Sequence, residues 1–236
     1  MHKPQAQSTG IRTRGRGILG GVTQGLALAV ALLAPLATAA GEITVKGSDT
    51  MVILGQRWAE EYMRAHPTAT IQVTGGGSGT GISALINGTT DVCQASRAMS
   101  AAEKEKLRDR YATVGVEIPV ARDGLSVYVN ASNPLGEITM DQLKLIFTGK
   151  VTNWKELGGP DAKIVVYSRE NSSGTYVFFK EHVLKNADYT VRAQSMPGTA
   201  AVVNAVAKEK FGIGYGGAAY AKGICCLLYT SPSPRD

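Results

Sequence analysis

Short alternating runs of apolar and polar residues recur along the chain, separated by stretches with helical periodicity. Alternation predicts strands, because successive side chains of a strand point to opposite faces. Strands are expected at residues 42–46, 69–73, 91–95, 114–120, 125–129, 164–167 and 211–215. Strands that alternate with helices are typical of an α/β fold.

The predicted helices are identified by their first residues and by their apolar faces. Ser100 with Glu103 and Thr139 with Gln142 have capping-box spacing, so a helix should begin at each pair. Apolar residues at helical spacing predict core-facing surfaces on three other helices. They are Met51, Leu54, Trp58 and Tyr62 in the first, Tyr176, Phe179 and Val183 in the second, and Val202, Val203 and Val206 in the third.

Two loops that contain Ser-Gly-Thr each link a predicted strand to a predicted helix. Residues 75–81 read Gly-Gly-Gly-Ser-Gly-Thr-Gly, and residues 172–175 read Ser-Ser-Gly-Thr. The first turn of a helix leaves backbone N–H groups unpaired at the positive end of its dipole, which suits an anion. Glycine lets an oxyanion approach the backbone, and the hydroxyls add donors. One such loop could be a turn that binds nothing, but the pair predicts an oxyanion site.

Two arginines stand close to these loops in the sequence. Arg169 precedes the second loop, and Arg97 follows the strand predicted at 91–95. A guanidinium matches two oxygens of a phosphate, although a single arginine is more often a surface or ion-pair residue. Arg97 and Arg169 are therefore candidates for the positive charge of the site.

Much of the excess positive charge lies at the beginning of the chain. The 236-residue chain has a formal net charge of +6, and Lys3, Arg12, Arg14 and Arg16 precede any acidic residue. The remainder is nearly balanced and has no basic stripe, so we expect no nucleic-acid partner.

An apolar stretch at residues 18–36 follows these basic residues and ends at a small-residue run, Ala-Thr-Ala-Ala, at 37–40. This order is typical of a secretory signal peptide, to which we assign residues 1–40. A membrane anchor is the alternative, because the stretch is long enough to span a bilayer. Pro35 and the small-residue exit favour export to the periplasm.

Residues that would support catalysis or metal binding are scarce. Cys93, Cys225 and Cys226 form no disulfide framework, and the three histidines lack metal-ligand spacing. No histidine stands in a pattern that would activate Ser78 or Ser173. The sequence therefore predicts a binding protein without cofactor or metal rather than an enzyme, and an exported hydrolase is the weaker alternative.

Four short motifs stand at the predicted ends of strands. They are residues 47–51 (Gly-Ser-Asp-Thr-Met), the loop 75–81, residues 95–97 (Ala-Ser-Arg) and residues 169–175 (Arg-Glu-Asn-Ser-Ser-Gly-Thr). In order and spacing they resemble the periplasmic phosphate-binding proteins of bacterial ABC phosphate transport systems, and the resemblance covers residues 42–223.

This resemblance implies a type II two-lobe periplasmic binding protein, in which a hinge joins two α/β lobes around an interlobe ligand cleft. Lobe 1 would be residues 41–121 and lobe 2 residues 122–223. Such a protein captures inorganic phosphate, performs no chemistry and delivers the ligand to an inner-membrane ABC permease. We expect it to be a monomer.

The resemblance also implies which residues bind phosphate. The implied set is Asp49, Thr50, Met51, Ser78, Gly79, Thr80, Arg97, Arg169, Ser173, Gly174 and Thr175. Arg97 departs from the family pattern, because some members have there an aspartate that accepts the proton of the ligand. Asp49 is then the candidate acceptor, unless it only caps its helix. Sulfate, molybdate or phosphonate is the alternative ligand.

The last residues, 224–236, show no periodicity and do not fit the preceding pattern. Chains of the resembling family continue past the position that matches Gly223 and complete the first lobe. We therefore expect residues 224–236 to be a non-native tail and the first lobe to be incomplete. An ordinary irregular terminus is the alternative.

Overall fold

A computed structural model describes residues 41–230, which form nine strands and six α-helices. The predicted signal peptide (1–40) and residues 231–236 lie outside the described residues. The strands are β1 (Glu42–Gly47), β2 (Thr70–Thr74), β3 (Val92–Gln94), β4 (Leu125–Val129), β5 (Glu137–Thr139), β6 (Val165–Arg169), β7 (Gln194–Met196), β8 (Gly212–Gly217) and β9 (Cys225–Thr230). The helices are α1 (Asp49–Ala65), α2 (Ser78–Asn87), α3 (Ala101–Tyr111), α4 (Met140–Phe147), α5 (Gly174–His182) and α6 (Gly198–Lys208). Within this range, no helix combines the length and apolar character that a membrane span requires.

The first sheet has three parallel strands in the order β2-β1-β3. Glu42 pairs with Thr70, and Val45 pairs with both Val73 and Val92. Parallel neighbours need a crossover connection, and α1 and α2 provide the two crossovers. The carboxyl ends of β1 and β2 therefore lie at one edge, where α1 and α2 begin.

The second sheet has six strands in the order β5-β9-β4-β8-β6-β7. Strand β4 is antiparallel to both of its neighbours, whereas β6 is parallel to β8 and to β7. Strand β6 is followed by α5 and β7 by α6. Because β6 and β7 are parallel, α5 and α6 begin at the same edge of this sheet.

The main hydrophobic core packs against the six-stranded sheet. Trp154, Phe179 and Tyr215 are fully buried there, and the rings of Phe179 and Tyr215 stack with centroids 4.0 Å apart. Val202 and Val206 of α6 are also fully buried, in a neighbouring cluster. The apolar faces predicted for α5 and α6 are thereby confirmed at these positions.

Both predicted capping boxes are confirmed. The hydroxyl of Ser100 accepts the N–H of Glu103 at 3.3 Å, and the Glu103 carboxylate accepts the N–H of Ser100 at 2.8 Å. Thr139 and Gln142 exchange the equivalent bonds at 3.2 and 2.8 Å. The predicted α/β class is confirmed, and every predicted strand except the one at 114–120 is found within two residues of its expected ends.

The prediction of a strand at residues 114–120 is wrong. The segment pairs with no described strand, and the side chains of Val116, Ile118 and Val120 are 88%, 73% and 53% exposed. Alternation shows only that a segment could be half-buried in a sheet, whereas a strand also needs a neighbour. Pro119 further weakens pairing, because it has no N–H to donate.

The core-facing surface predicted for α1 is wrong at Trp58 and Tyr62, whereas Met51 and Leu54 are half-buried. Trp58 and Tyr62 are 46% and 48% exposed, whereas Ala59 is buried. The helix approaches the sheet through small residues, and a Cβ at Gly55 would lie 3.3 Å from Cγ1 of Val73. A large apolar stripe and a small-residue stripe both follow the helical period, and the close approach of helix and sheet selects the small one.

Residues 225–230, for which the sequence shows no period, form β9 between β5 and β4. Backbone N–H and C=O groups pair in a ladder whatever the side chains, so a strand can form without a periodic signal. The alternative of an irregular terminus is therefore wrong for these six residues. The foreign origin of residues 224–236 stays a prediction.

Candidate functional site

The starts of four helices, α1, α2, α5 and α6, meet in one place. Thr50 Oγ1 in α1 lies 3.1 Å from Thr175 Oγ1 in α5. The N–H of Gly79 in α2 donates to the carbonyl of Ser172, just before α5, at 2.8 Å. Helix α6 joins them through its bond to Arg169, described below. Helix N-termini that converge in this way form an environment suited to an anion.

The two Ser-Gly-Thr loops touch each other through glycines. A Cβ at Gly174 would collide with the hydroxyls of Ser78 and Ser96, and a Cβ at Gly77 would lie 2.6 Å from the carbonyl oxygen of Ser172. Gly77 also has a φ of 92°, which side chains with L configuration rarely adopt. Glycine at these two positions is therefore what allows the loops to approach.

The hydroxyls of three predicted site residues are buried at this contact. Ser78, Ser173 and Thr175 are 0%, 2% and 6% exposed. The Oγ of Ser78 accepts the N–H of Ser96 at 3.1 Å. The Oγ of Ser173 caps α5 by accepting the N–H of Tyr176 at 3.3 Å. Backbone partners thus orient both serine side chains.

Arg169, at the end of β6, is the most enclosed charged residue of the site, with a side chain only 1% exposed. Its Nη2 donates to Oδ2 of Asp49 at 2.9 Å and its Nη1 to Oγ1 of Thr199 at 2.9 Å. Its Nε donates to Oε2 of Glu170 at 3.3 Å. A buried charge is tolerated when it is paired and hydrogen-bonded, so these contacts hold the guanidinium in one orientation.

Asp49 connects three parts of the site. Its Oδ2 binds Arg169, and its Oδ1 accepts the N–H of Gly76 at 2.9 Å. The hydroxyl of Tyr220 donates to the backbone carbonyl of Asp49 at 2.8 Å. Asp49 is the first residue of α1 and the N-cap position is Ser48, so the alternative that Asp49 only caps α1 is wrong. Its role as acceptor of a ligand proton stays a prediction.

Arg97 lies beside this cluster and is already paired. Its Nη1 and Nη2 donate to the two carboxylate oxygens of Glu103 at 2.8 and 2.7 Å. The hydrogen bonds from Arg97 lower the pKa of Glu103 from 4.5 to about 2, and the same contact raises the pKa of Arg97. The positive charge of Arg97 is therefore largely neutralised by Glu103 of α3.

A cavity of about 510 Å³ adjoins the cluster. Thr50, Met51, Arg97 and Thr175 lie along it, and the segment 116–121 forms part of its apolar wall. The remaining predicted residues, Gly79 and Thr80, are half-buried in the first turn of α2. The structure thus brings the predicted residues into one neighbourhood, with Arg169 at its centre and Arg97 at its edge.

A comparison with protein families gives a match over most of the chain. Residues 34–224 match the family described as the PBP superfamily domain. The chain belongs to the PBP superfamily. This membership agrees with the α/β fold, and with a site where helices begin at the carboxyl ends of parallel strands.

Solved structures of phosphate-transport proteins resemble this PBP-superfamily chain. One is a candidate phosphate ABC transporter substrate-binding protein from Clostridium perfringens with bound phosphate. It has a TM-score of 0.74 and 32% identity, covering 80% of this chain and 76% of that one. An ABC-type phosphate transport receptor from Vibrio cholerae has a TM-score of 0.59 and 28% identity, covering 81% of this chain and 78% of that one.

Curated relatives of this PBP-superfamily chain carry the name phosphate-binding protein PstS. The protein from Pseudomonas aeruginosa is 36% identical over 192 residues, which cover 76% of this chain and 59% of that protein. The protein from Staphylococcus haemolyticus is 38% identical over 180 residues, covering 75% and 56%. The chain thus spans little more than half the length of these relatives.

The groups that could support other chemistry are placed unfavourably. Burial raises the pKa of Cys93 to about 11, which keeps the thiol protonated and unreactive at neutral pH. Among residues 41–230 no cluster of histidine, cysteine and carboxylate side chains could hold a metal ion.

Four residues of the site were not predicted as such: Ser96, Glu170, Thr199 and Tyr220. The carboxylate of Glu170 accepts hydrogen bonds from Nε of Arg169 and from the N–H of Gly198, each at 3.3 Å. Its position next to Arg169 in the sequence was an available signal. Thr199 and Tyr220 reach the site only through the placement of α6 and the segment after β8, which no local pattern reports.

Proposed function

We propose that this protein captures inorganic phosphate in the periplasm and delivers it to an inner-membrane ABC importer. The observation that carries the proposal is the meeting of four helix N-termini beside the buried guanidinium of Arg169. Such N–H groups and one guanidinium can bind a small tetrahedral oxyanion. The relatives support phosphate in particular, because their names state phosphate binding or phosphate transport.

Within this proposal the ligand lies among the first turns of α1, α2 and α5. The proposed binding residues are Asp49, Thr50, Met51, Ser78, Gly79, Thr80, Arg97, Arg169, Ser173, Gly174 and Thr175. Arg169 is buried at the site and would donate to the anion directly, while Asp49 and Glu170 balance its charge. Arg97 lies at the edge of the site, and its charge is paired with Glu103.

The proposal includes two lobes, residues 41–121 and 122–223, that close around phosphate by a hinge. Contacts between described residues of the two proposed lobes include Gly79 to Ser172, Thr50 to Thr175, Arg169 to Asp49 and Tyr220 to Asp49. These contacts would break on opening and reform on closure. We further propose export by the signal peptide, a monomeric state, no catalytic activity and no nucleic-acid partner.

Selectivity would depend on the proton that phosphate carries at neutral pH and sulfate lacks. A carboxylate can accept a hydrogen bond from that proton, whereas it repels a fully ionised anion. Asp49 is the proposed acceptor because its carboxylate already lies against Arg169. Sulfate, molybdate and phosphonate remain the alternative ligands.

Calorimetry with phosphate, sulfate and arsenate at two pH values tests this proposal. Phosphate and arsenate should bind, and sulfate should bind at least tenfold more weakly, about 1.4 kcal/mol. Equal affinities for sulfate and phosphate would contradict a proton acceptor at Asp49. The absence of binding for all three anions would contradict the proposed function.

The variant Arg169→Ala tests the residue at the centre of the site. We expect phosphate affinity to fall about 100-fold, because charge-assisted hydrogen bonds to the anion are lost. Arg57→Ala is the matched control, since Arg57 is 75% exposed and forms its ion pair with Glu60 on the same helix. Unchanged affinity in Arg169→Ala, with the fold intact by circular dichroism, would remove Arg169 from the site.

A further inference from the structure

The guanidinium of Arg169 has more donors than the protein uses. An arginine carries five N–H donors, one on Nε and two on each terminal nitrogen. Among the described residues, Nε binds Glu170, Nη1 binds Thr199 and Nη2 binds Asp49. One N–H on Nη1 and one on Nη2 therefore have no partner among the described residues, and two donors of one guanidinium can bind two oxygens of a tetrahedral anion.

Thr199 is held in a single position by its surroundings. It is the second residue of α6 and is 1% exposed. Its Oγ1 lies 2.9 Å from Nη1 of Arg169, and its methyl group packs so closely on Gly216 that a Cβ there would collide with it. Buried Val202 and Val206 anchor the same helix in the core. Thr199 is thus a rigid acceptor for one edge of the guanidinium.

We propose that Thr199 is a positioning residue of the anion site. With Asp49 on Nη2 and Glu170 on Nε, it sets the plane of the Arg169 guanidinium and directs the two remaining N–H groups to the ligand. Thr199 itself does not touch the anion. The inference rests on the proposed phosphate binding and adds the residue that orients its central charge.

Substitutions at Thr199 separate the acceptor from the shape of the side chain. Thr199→Val keeps the shape and removes the acceptor, which leaves one buried N–H of Arg169 unpaired. We expect phosphate affinity to fall roughly tenfold, because the guanidinium can rotate away from its binding orientation. Thr199→Ser keeps the acceptor and loses only the methyl group, and it should restore affinity to within about twofold of the parent.

A matched control and a double variant distinguish positioning from a general loss of stability. Thr90→Val removes another buried hydroxyl, which donates to the carbonyl of Thr44 at 2.9 Å, far from Arg169 in the sequence. It should lower the thermal midpoint without changing phosphate affinity. In an Arg169→Lys background, Thr199→Val should cause no further loss of affinity, because the group that it orients is absent.

The solvent exchange of the Arg169 Nε–H, followed by nitrogen NMR on the free protein, tests the orientation without ligand. The signal should be protected in the parent and in Thr199→Ser, and it should exchange several-fold faster in Thr199→Val. Phosphate binding by Thr199→Val within twofold of the parent would overturn the inference. Equal losses of phosphate affinity in Thr199→Val and Thr199→Ser would also overturn it. If the parent binds no phosphate, the proposed function fails, while the exchange measurement still decides whether Thr199 orients Arg169.

Discussion

The two sheets of this molecule are stabilised in different ways. The first region, residues 42–111, buries few apolar side chains, namely Ala59, Ile82, Ala84 and Leu107. The second region, residues 125–230, contains nearly all of the buried aromatic and aliphatic core. Large apolar side chains such as Ile53, Trp58, Tyr62 and Val92 are exposed in the first region. Apolar burial therefore holds the second region, whereas backbone ladders and polar contacts contribute more to the first.

The candidate site takes equal parts from both regions. Helices α1 and α2 come from the first and α5 and α6 from the second. A ligand among the first turns of α1, α2 and α5 would add stability to both regions, but the relative gain is greater where the core is smaller. Anion binding should therefore matter more for the order of the first region.

The largest expected effect on this contrast is a difference in unfolding free energy between substitutions of the two tryptophans. Trp154 is fully buried in the second region and its Nε1 donates to the carbonyl of Phe211 at 3.0 Å, whereas Trp58 is 46% exposed. We expect Trp154→Ala to cost about 3–5 kcal/mol of unfolding free energy. Trp58→Ala should cost less than about 1 kcal/mol. Urea unfolding measures both, and similar costs would contradict the difference between the regions.

Gly174→Ala tests the contact between the regions. The added Cβ would collide with the hydroxyls of Ser78 and Ser96 and separate the two loops. We expect at least tenfold weaker phosphate binding, because the converging N–H groups lose their geometry. Gly136→Ala is the control, since a Cβ there meets nothing within 4 Å. Calorimetry on both variants is decisive, and normal binding by Gly174→Ala would show that the loops need not touch.

The smallest expected effect is a pH dependence confined to the first region. Arg97 lowers the pKa of Glu103 from 4.5 to about 2, so the ionised carboxylate stabilises the fold above pH 4.5 and this contribution is lost as the pH falls towards 2. Glu103→Gln should lower the free energy of unfolding by about 1–2 kcal/mol at neutral pH. The difference from the parent should shrink below pH 4.5. Thermal melts from pH 7 to pH 2.5 measure it.

Glu60→Gln is the control for that titration, because Glu60 is 52% exposed and forms its ion pair with Arg57 on the same helix. The difference in thermal midpoint between Glu60→Gln and the parent should stay small at every pH. A Glu103→Gln difference that is constant down to pH 2.5 would show that the Arg97 pair does not stabilise the first region.

Local signals in the sequence were sufficient for much of the fold and for the outline of the site. The capping boxes at Ser100 and Thr139 and the two Ser-Gly-Thr loops depend on neighbours within a few residues. The pairing of Arg97 was harder to predict, because its contact with Glu103 depends on where α3 packs. Thr199 could not be assigned from the sequence, since its partner Arg169 is 30 residues away and lies on another element.

The apolar segment at 114–120 and helix α1 show a second limit. Periodicity identifies residues that can face a core, but it does not say whether a partner covers them. Val116 and Trp58 have strong apolar patterns and are nevertheless exposed. Conversely, β9 forms without a pattern because β4 and β5 supply its neighbours.

The bonds that join the four helix starts also bear on the order of folding. Asp49 meets Arg169 across 120 residues of sequence, Thr50 meets Thr175 across 125, and Tyr220 meets Asp49 across 171. Closing such long loops carries a large entropic cost, so contacts of this kind form slowly unless other structure brings their ends together. Each sheet region can assemble before the starts of α1, α2, α5 and α6 come together to form the candidate site. Competence to bind an anion is therefore expected to be the last property that a refolding chain acquires.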